Sequence, residues 1–151
     1  MAQREPHFYE TSVEYEEDRR GVAFSPGLPD LAFSAPPEFN GEPGYWTPEH
    51  FYVLAAETCL MATFVAIAEH SDLPVLGYSS TAKGKLEWID GQGYRFTGIE
   101  IRAKVHIEKE ADREKALRVL EKAEKGCLVA RSMAAPVTAV PDIIVSASAG
   151  A

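Results

Sequence analysis

Between Ile99 and Glu108 the chain alternates without a break. Ile99, Ile101, Ala103, Val105 and Ile107 take one side, and Glu100, Arg102, Lys104, His106 and Glu108 take the other. Successive side chains of a strand point to opposite faces, so this period of two describes a long strand with one face buried and one in water. A slip of one residue would drive the charged set into the core, which fixes the register as firmly as the strand itself. Any fold open to this chain must supply an apolar layer to cover that face.

The run from Val53 to Ala68 is the most apolar in the chain and is the natural cover. Thr47 can cap a helix there by accepting from its first free amides, Pro48 fits the first helical position because it has no amide proton to lose, and Glu49 suits the positive end of the dipole. The helix is expected from about Pro48 to about His70. The apolar run is shorter than a bilayer crossing needs and carries Glu57 and Cys59, so the expectation is a buried core helix with no membrane segment. From Lys109 to Lys125, Ala116, Leu117, Val119, Leu120 and Ala123 recur at helical spacing among charges, giving an amphipathic helix that stops at Gly126. Cys127 follows that break, a short helix restarts through about Met133, Val137 to Val145 reads as a last strand, and the small residues from Ser146 to Ala151 as a frayed tail.

Upstream, His7 to Glu16 shows the period-2 pattern of an edge strand, ending at the charged turn Glu17 to Gly21. Short apolar pieces at Val22 to Phe24 and Leu31 to Phe33 complete a small meander, and the Pro- and Gly-rich residues from Ala35 to Trp46 form a loop long enough to suggest a functional role. After Ser71 to Pro74, Val75 to Ala82 and Lys83 to Ile89 are extended, and Asp90-Gly91-Gln92-Gly93 is a hairpin turn. No internal repeat interrupts residues 1–151, which are read as a single α+β domain with helices on an antiparallel sheet.

The composition narrows the chemistry. A net charge of -8 repels phosphate backbones and anionic lipid surfaces, so nucleic acid is not expected as a partner. The polar N-terminus has no apolar stretch ending in a cleavage site, which makes the cytoplasm the expected location. Two cysteines are too few for a disulfide scaffold or a four-cysteine zinc site. His7, His50, His70 and His106 are scattered without ligand spacing, so no metal is expected. With no phosphate-cradling glycine loop and no nucleophile elbow, nucleotide cofactors and serine hydrolysis are disfavoured too. What remains is thiol chemistry at Cys59 and Cys127. Taken singly, Cys59 also fits a small core residue among Tyr52, Ala55, Ala56 and Thr63, and Cys127 a buried turn residue.

The stretch Thr47-Pro48-Glu49-His50-Phe51-Tyr52-Val53-Leu54-Ala55-Ala56-Glu57-Thr58-Cys59-Leu60 resembles the OsmC/Ohr family, in which a Pro-Glu pair opens an alanine-rich central helix carrying a reactive cysteine. Gly126-Cys127-Leu128-Val129-Ala130-Arg131-Ser132 resembles the segment of the second family cysteine, and the likeness spans roughly Asp18 to Val145. The sequence departs from the family at Trp46 and Thr47, at Glu57 where a small residue is usual, and at Leu128 where a proline usually follows the second cysteine. Two helical steps turn about 200°, so Glu57 is expected to point away from Cys59, toward a partner chain or a polar pocket.

The resemblance implies an OsmC-like fold, with antiparallel sheets packed around a buried central helix in an intertwined homodimer. It implies hydroperoxide reduction, with Cys59 forming a sulfenic acid and Cys127 condensing with it to a disulfide that an external dithiol, lipoyl in the best-known branch, resets. No bound cofactor is implied. The family's arginine falls on Arg19, with Arg20 as the alternative, and its glutamate on Glu49. Ten residues of helix rise about 15 Å, so Glu49 and Cys59 cannot meet within one chain, and a shared site requires two subunits. Phe51, Tyr52, Met61 and Phe64 would favour organic hydroperoxides or serve as plain core. A protein that binds a small hydrophobic ligand, or a redox sensor, is the rival expectation on the same fold.

Overall fold

The computed structural model describes residues 4–146; the expected frayed tail from residue 147 onward lies outside them. The chain divides into two compact units, one running to Phe51 and the other starting at Tyr52. The first holds the meander β1 (Ser12–Tyr15), β2 (Arg20–Phe24) and β3 (Leu31–Ser34), paired antiparallel in the order β1-β2-β3. The edge strand expected over His7 to Glu16 is limited to Ser12–Tyr15, because β2 offers partners only from Gly21 to Phe24. Gly21 has to be a glycine there, since a Cβ would lie 2.7 Å from the Glu14 carbonyl oxygen.

Helix α1 (Pro48–His70) begins as its sequence dictates, with the buried Thr47 hydroxyl accepting from the His50 amide at 3.2 Å. In the second unit, β4 (Gly77–Ile89) and β5 (Gly93–Ile107) form a long antiparallel hairpin through the expected turn, where Gly91 and Gly93 take positive φ. β4 is one continuous strand with an irregularity between Lys85 and Leu86, and β5 starts well before Ile99. The charged helix begins later than its first acidic residues suggest, with a 3-10 turn at Glu110–Asp112 leading into α2 (Arg113–Gly126). The short α3 (Leu128–Arg131) and β6 (Val137–Val145) complete the unit, and the order is β4-β5-β6.

One expectation is corrected. The second sheet is mixed, because β6 runs parallel to β5 from Ile99↔Val137 to Ile107↔Val145. The two helices between these strands carry the chain back to the end from which β5 started, so the return must be parallel. Within one chain the central helix is buried along a single stripe. Ala56, Leu60, Phe64 and Ala68, four residues apart, join the inner face of β5 in one core, while Met61 and Val65 on another flank of α1 are exposed. By length and composition α1 is apolar enough to cross a membrane, and in this fold its stripe builds the core. α2 closes the other side with Ala116, Val119, Leu120 and Ala123, whereas Leu117 remains exposed.

Close approach of α1 to the sheet requires Gly84, where a Cβ would stand 2.5 Å from Val53 Cγ2. Tyr52 stacks on Phe96 at 4.6 Å and Phe64 meets Tyr78 at 5.5 Å, so aromatic faces fill the layer between helix and hairpin. Phe64 is 0% exposed. Its replacement in Phe64→Ala should lower the free energy of unfolding by about 3–5 kcal/mol in a urea titration. A loss under about 1 kcal/mol would show that α1 does not pack as the core requires.

Candidate active site

Helix α1 orients Cys59 through its neighbours. Cys59 follows Ala56 by three positions, about 60° around the axis from the buried stripe, which leaves it half-buried at the edge of the core. Cys127 comes from the far end of the second unit, as the residue between α2 and α3, and is only 1% exposed. The fold brings the two thiols close enough for each to act on the other's ionisation, and neither is in a disulfide.

Their surroundings drive the two thiols apart in acidity. Burial pushes Cys59 up, but the backbone amide of Val129, the Cys127 thiol, the Thr63 hydroxyl and the backbone amide of Leu128 all favour its thiolate, and together they hold it below the ordinary value. Thr63 Oγ1 lies 3.8 Å from Cys59 Sγ, one turn along the helix. For Cys127 burial is again the largest influence. The nearby amides of Ala130 and Val129 pull its value down without making an aligned cap on α3, while the Cys59 thiol pushes it up, and the net shift is upward. The pair is therefore asymmetric, with the accessible thiol as the stronger nucleophile candidate and the buried one kept protonated.

No guanidinium stands among the groups that act most on Cys59. The help comes from the backbone where the chain turns into α3. Leu128 contributes to it directly, because a proline at that position would have no amide to donate. The sequence departure at Leu128 thus places an amide where it favours the thiolate, and its 69% exposed side chain adds an apolar surface beside the pair.

The other expected site residues lie in the first unit. Arg19 is exposed, and its carbonyl accepts from the Ala35 amide at 3.1 Å. Arg20 is the more firmly held of the two: it pairs with Glu17, lies 3.0 Å from Glu42, donates to the Tyr45 hydroxyl at 2.9 Å and sits over the Tyr45 ring. The Tyr45 hydroxyl, despite opposing desolvation and helped by Glu42, holds the guanidinium above its usual value. Glu49 is in the first turn of α1, and its Oε2 is buried with no hydrogen-bond partner among the described residues. A buried carboxylate oxygen in that state calls for a cationic partner.

Glu57 points away from Cys59 and accepts from Ser80 Oγ on β4 at 2.7 Å. The adjacent Tyr78 hydroxyl is buried without an aligned partner, and burial pushes its value up. Of the four apolar candidates, Phe64 is pure core and Tyr52 is stacked on Phe96, whereas Met61 is 44% exposed. Phe51 packs with Phe33 and Trp46 in the first unit. Among the described residues no three His, Cys, Asp or Glu side chains are gathered to hold a metal ion. Sequence reading missed the Leu128 and Val129 amides, which no residue type advertises, and Tyr45 and Glu42, whose loop has no periodicity. Thr63 was legible from its spacing of four.

A family model described as OsmC-like protein matches residues 41–140. Among solved structures, the chain is similar to an OsmC-like protein of unknown function from Vibrio cholerae, at 20% identity and a TM-score of 0.80, covering 92% of this chain and 100% of that one. It is similar to an organic hydroperoxide resistance protein from Legionella pneumophila at 20% identity and a TM-score of 0.72, covering 93% and 100%. A third, from Elizabethkingia anophelis, is an organic hydroperoxide resistance protein with bound thiocyanate, at 16% identity and a TM-score of 0.74, covering 95% and 100%. No curated protein matches the sequence.

The asymmetry has a direct pH signature. Alkylation of Cys59 by iodoacetamide, followed by mass spectrometry across pH, should rise about a midpoint below that of an ordinary thiol, while Cys127 rises only at higher pH. Leu128→Pro removes one amide from the thiolate and should move the Cys59 midpoint upward. An unmoved midpoint would mean that this amide does not stabilise the charge.

Proposed function

The chain belongs to the OsmC-like protein family, and from that membership we propose that it is a thiol-dependent peroxidase that reduces organic hydroperoxides in defence against oxidative stress. The observation that carries this reading is the contact between a half-buried thiol held below its ordinary value and a buried thiol held above it. A low-lying accessible thiolate beside a protonated resolving thiol is the arrangement that two-step peroxide reduction needs.

In the first step the Cys59 thiolate attacks the terminal oxygen of the hydroperoxide. The O–O bond breaks, the alcohol leaves with a proton, and Cys59 is oxidised to a sulfenic acid. In the second the Cys127 sulfur attacks the Cys59 sulfur, the S–O bond breaks, and water leaves as the disulfide forms. An external dithiol, of which a lipoyl group is one chemical form, returns both cysteines to thiols and is itself oxidised to its disulfide. Leu128 and Met61, both exposed, favour a substrate with an apolar tail over hydrogen peroxide.

The working unit in this reading is a cytoplasmic homodimer. Two features support it: α1 keeps apolar Met61 and Val65 on an uncovered flank, and Glu49 keeps a buried carboxylate oxygen without a partner. Glu49 would orient an arginine, Arg20 or Arg19, toward a thiolate that belongs to the other subunit.

Stoichiometric cumene hydroperoxide followed by intact mass under non-reducing conditions tests the chemistry. Wild type should lose two hydrogens and both free thiols, Cys127→Ala should trap a sulfenic acid, and Cys59→Ala should not react. Unreacted thiols in wild type would end the peroxidase reading in favour of ligand binding. Sharing of the site is tested by mixing Glu49→Ala with Cys59→Ala after subunit exchange. Each variant alone should be nearly inactive, and the mixture should regain roughly a quarter of wild-type activity, since half of the dimers then carry one complete site. No recovery, despite mixed dimers seen by native mass spectrometry, would rule sharing out.

A further inference from the structure

A carboxylate outside the proposed reaction lines one small cavity together with Cys127. Glu124 lies in the last turn of α2, three residues before Cys127, and its Oε2 accepts from the backbone amide of Ala139 on β6 at 2.9 Å. Among the described residues β6 pairs only with β5, so an amide that bonds to a side chain is one that the ladder leaves over. Glu124, Cys127, Ala130, Val137 and Ala139 also line one cavity of about 10 Å³, which holds at most a single water. The end of α2 therefore meets the edge of β6 without slack at the point where the segment bearing Cys127 begins.

That segment is short, held by the burial of Cys127 and by hydrogen bonds inside the turn of α3. Gly126 is exposed, Cys127 leaves the helix in an extended conformation at φ -64 and ψ 107, and α3 is four residues long. How well Cys127 competes for Cys59 depends on its effective concentration there, which falls steeply when a reacting group is loosely placed. The Glu124 bond fixes the helical turn that aims the thiol.

We propose that Glu124 is a positioning residue for disulfide formation: by pinning the last turn of α2 to β6 it holds Cys127 against Cys59, and it does not itself touch the peroxide. Its biological meaning rests on the peroxidase reading, but the pinning acts on the Cys59–Cys127 couple whatever oxidises it.

The test equilibrates the full chain, as wild type, Glu124→Ala, Glu124→Gln and Glu114→Ala, in graded mixtures of reduced and oxidised dithiothreitol, with acid quenching and mass analysis of alkylated thiols. Glu124→Ala should lower the equilibrium constant for the Cys59–Cys127 disulfide about tenfold, a potential about 30 mV more oxidising. Glu124→Gln, whose amide oxygen still accepts from Ala139, should stay within about threefold of wild type, and Glu114→Ala should match it. In a Cys127→Ala background, Glu124→Ala should slow sulfenic acid formation less than it weakens the disulfide, because only the Leu128 and Val129 amides, and not the resolving thiol, then depend on the pinned turn. A fall in Tm with an unaltered equilibrium constant, or a glutamine variant as impaired as the alanine one, would overturn the proposal. Loss of peroxide reactivity in wild type with the redox shift intact would end the peroxidase reading and leave the positioning role standing.

Discussion

The packing of α1 on the inner face of β5 is the contact on which the second unit depends. The stripe Ala56, Leu60, Phe64 and Ala68 meets Ile99, Ile101, Ala103, Val105 and Ile107, and both sets are dictated by sequence period. The helix cannot turn about its axis without pulling Phe64 out of the core. The azimuth of Cys59 is thereby set, at the border between the stripe and the surface. A reactive thiol needs that border position, because full burial would suppress its charge and full exposure would leave it unassisted. Catalytic geometry here is a by-product of hydrophobic register.

The means of assistance is equally local. Two amides at the start of α3 face the Cys59 sulfur, so the turn that delivers Cys127 also stabilises the charge on its partner. An amide donor does not depend on the rotamer of a long side chain, and it needs no counter-ion of its own. The held state of Arg20, bound to Glu17, Glu42 and Tyr45, is consistent with a chain whose thiolate is first supported by its own backbone. The Leu128 departure from the family pattern then has a physical content: one more donor and one more apolar side chain at the same point.

Much of this was legible in the residues. The β5 alternation, the Thr47-Pro48-Glu49 helix start and the Asp90 to Gly93 hairpin each rest on a rule that acts within a few positions, and the structure bears them out. The meeting of Cys59 with Cys127 came through resemblance and not through spacing, because 68 positions separate them and only the whole topology closes that distance. The parallel pairing of β6 was missed for the same reason: a strand's pattern records which face is buried and is silent on direction. An all-apolar helix looks the same whether one flank or both are covered, so the sequence did not tell that one chain by itself buries only the stripe of Ala56, Leu60, Phe64 and Ala68. Glu124 was invisible as well, being one more acid on a charged helix until Ala139 is placed beside it.

The parallel return of β6 has a consequence for the order in which the molecule is made. β5 finds β4 through a tight turn, a local event, but β6 can lie beside β5 only after residues 108–136 have wound into α2 and α3. Pairings that close long stretches of chain form late, because the entropy of closure is spent before the contacts reward it. Cys127 rides on that late segment. In a nascent or partly folded chain the two sulfurs are thus kept apart by topology, and their couple comes into being only with the finished sheet.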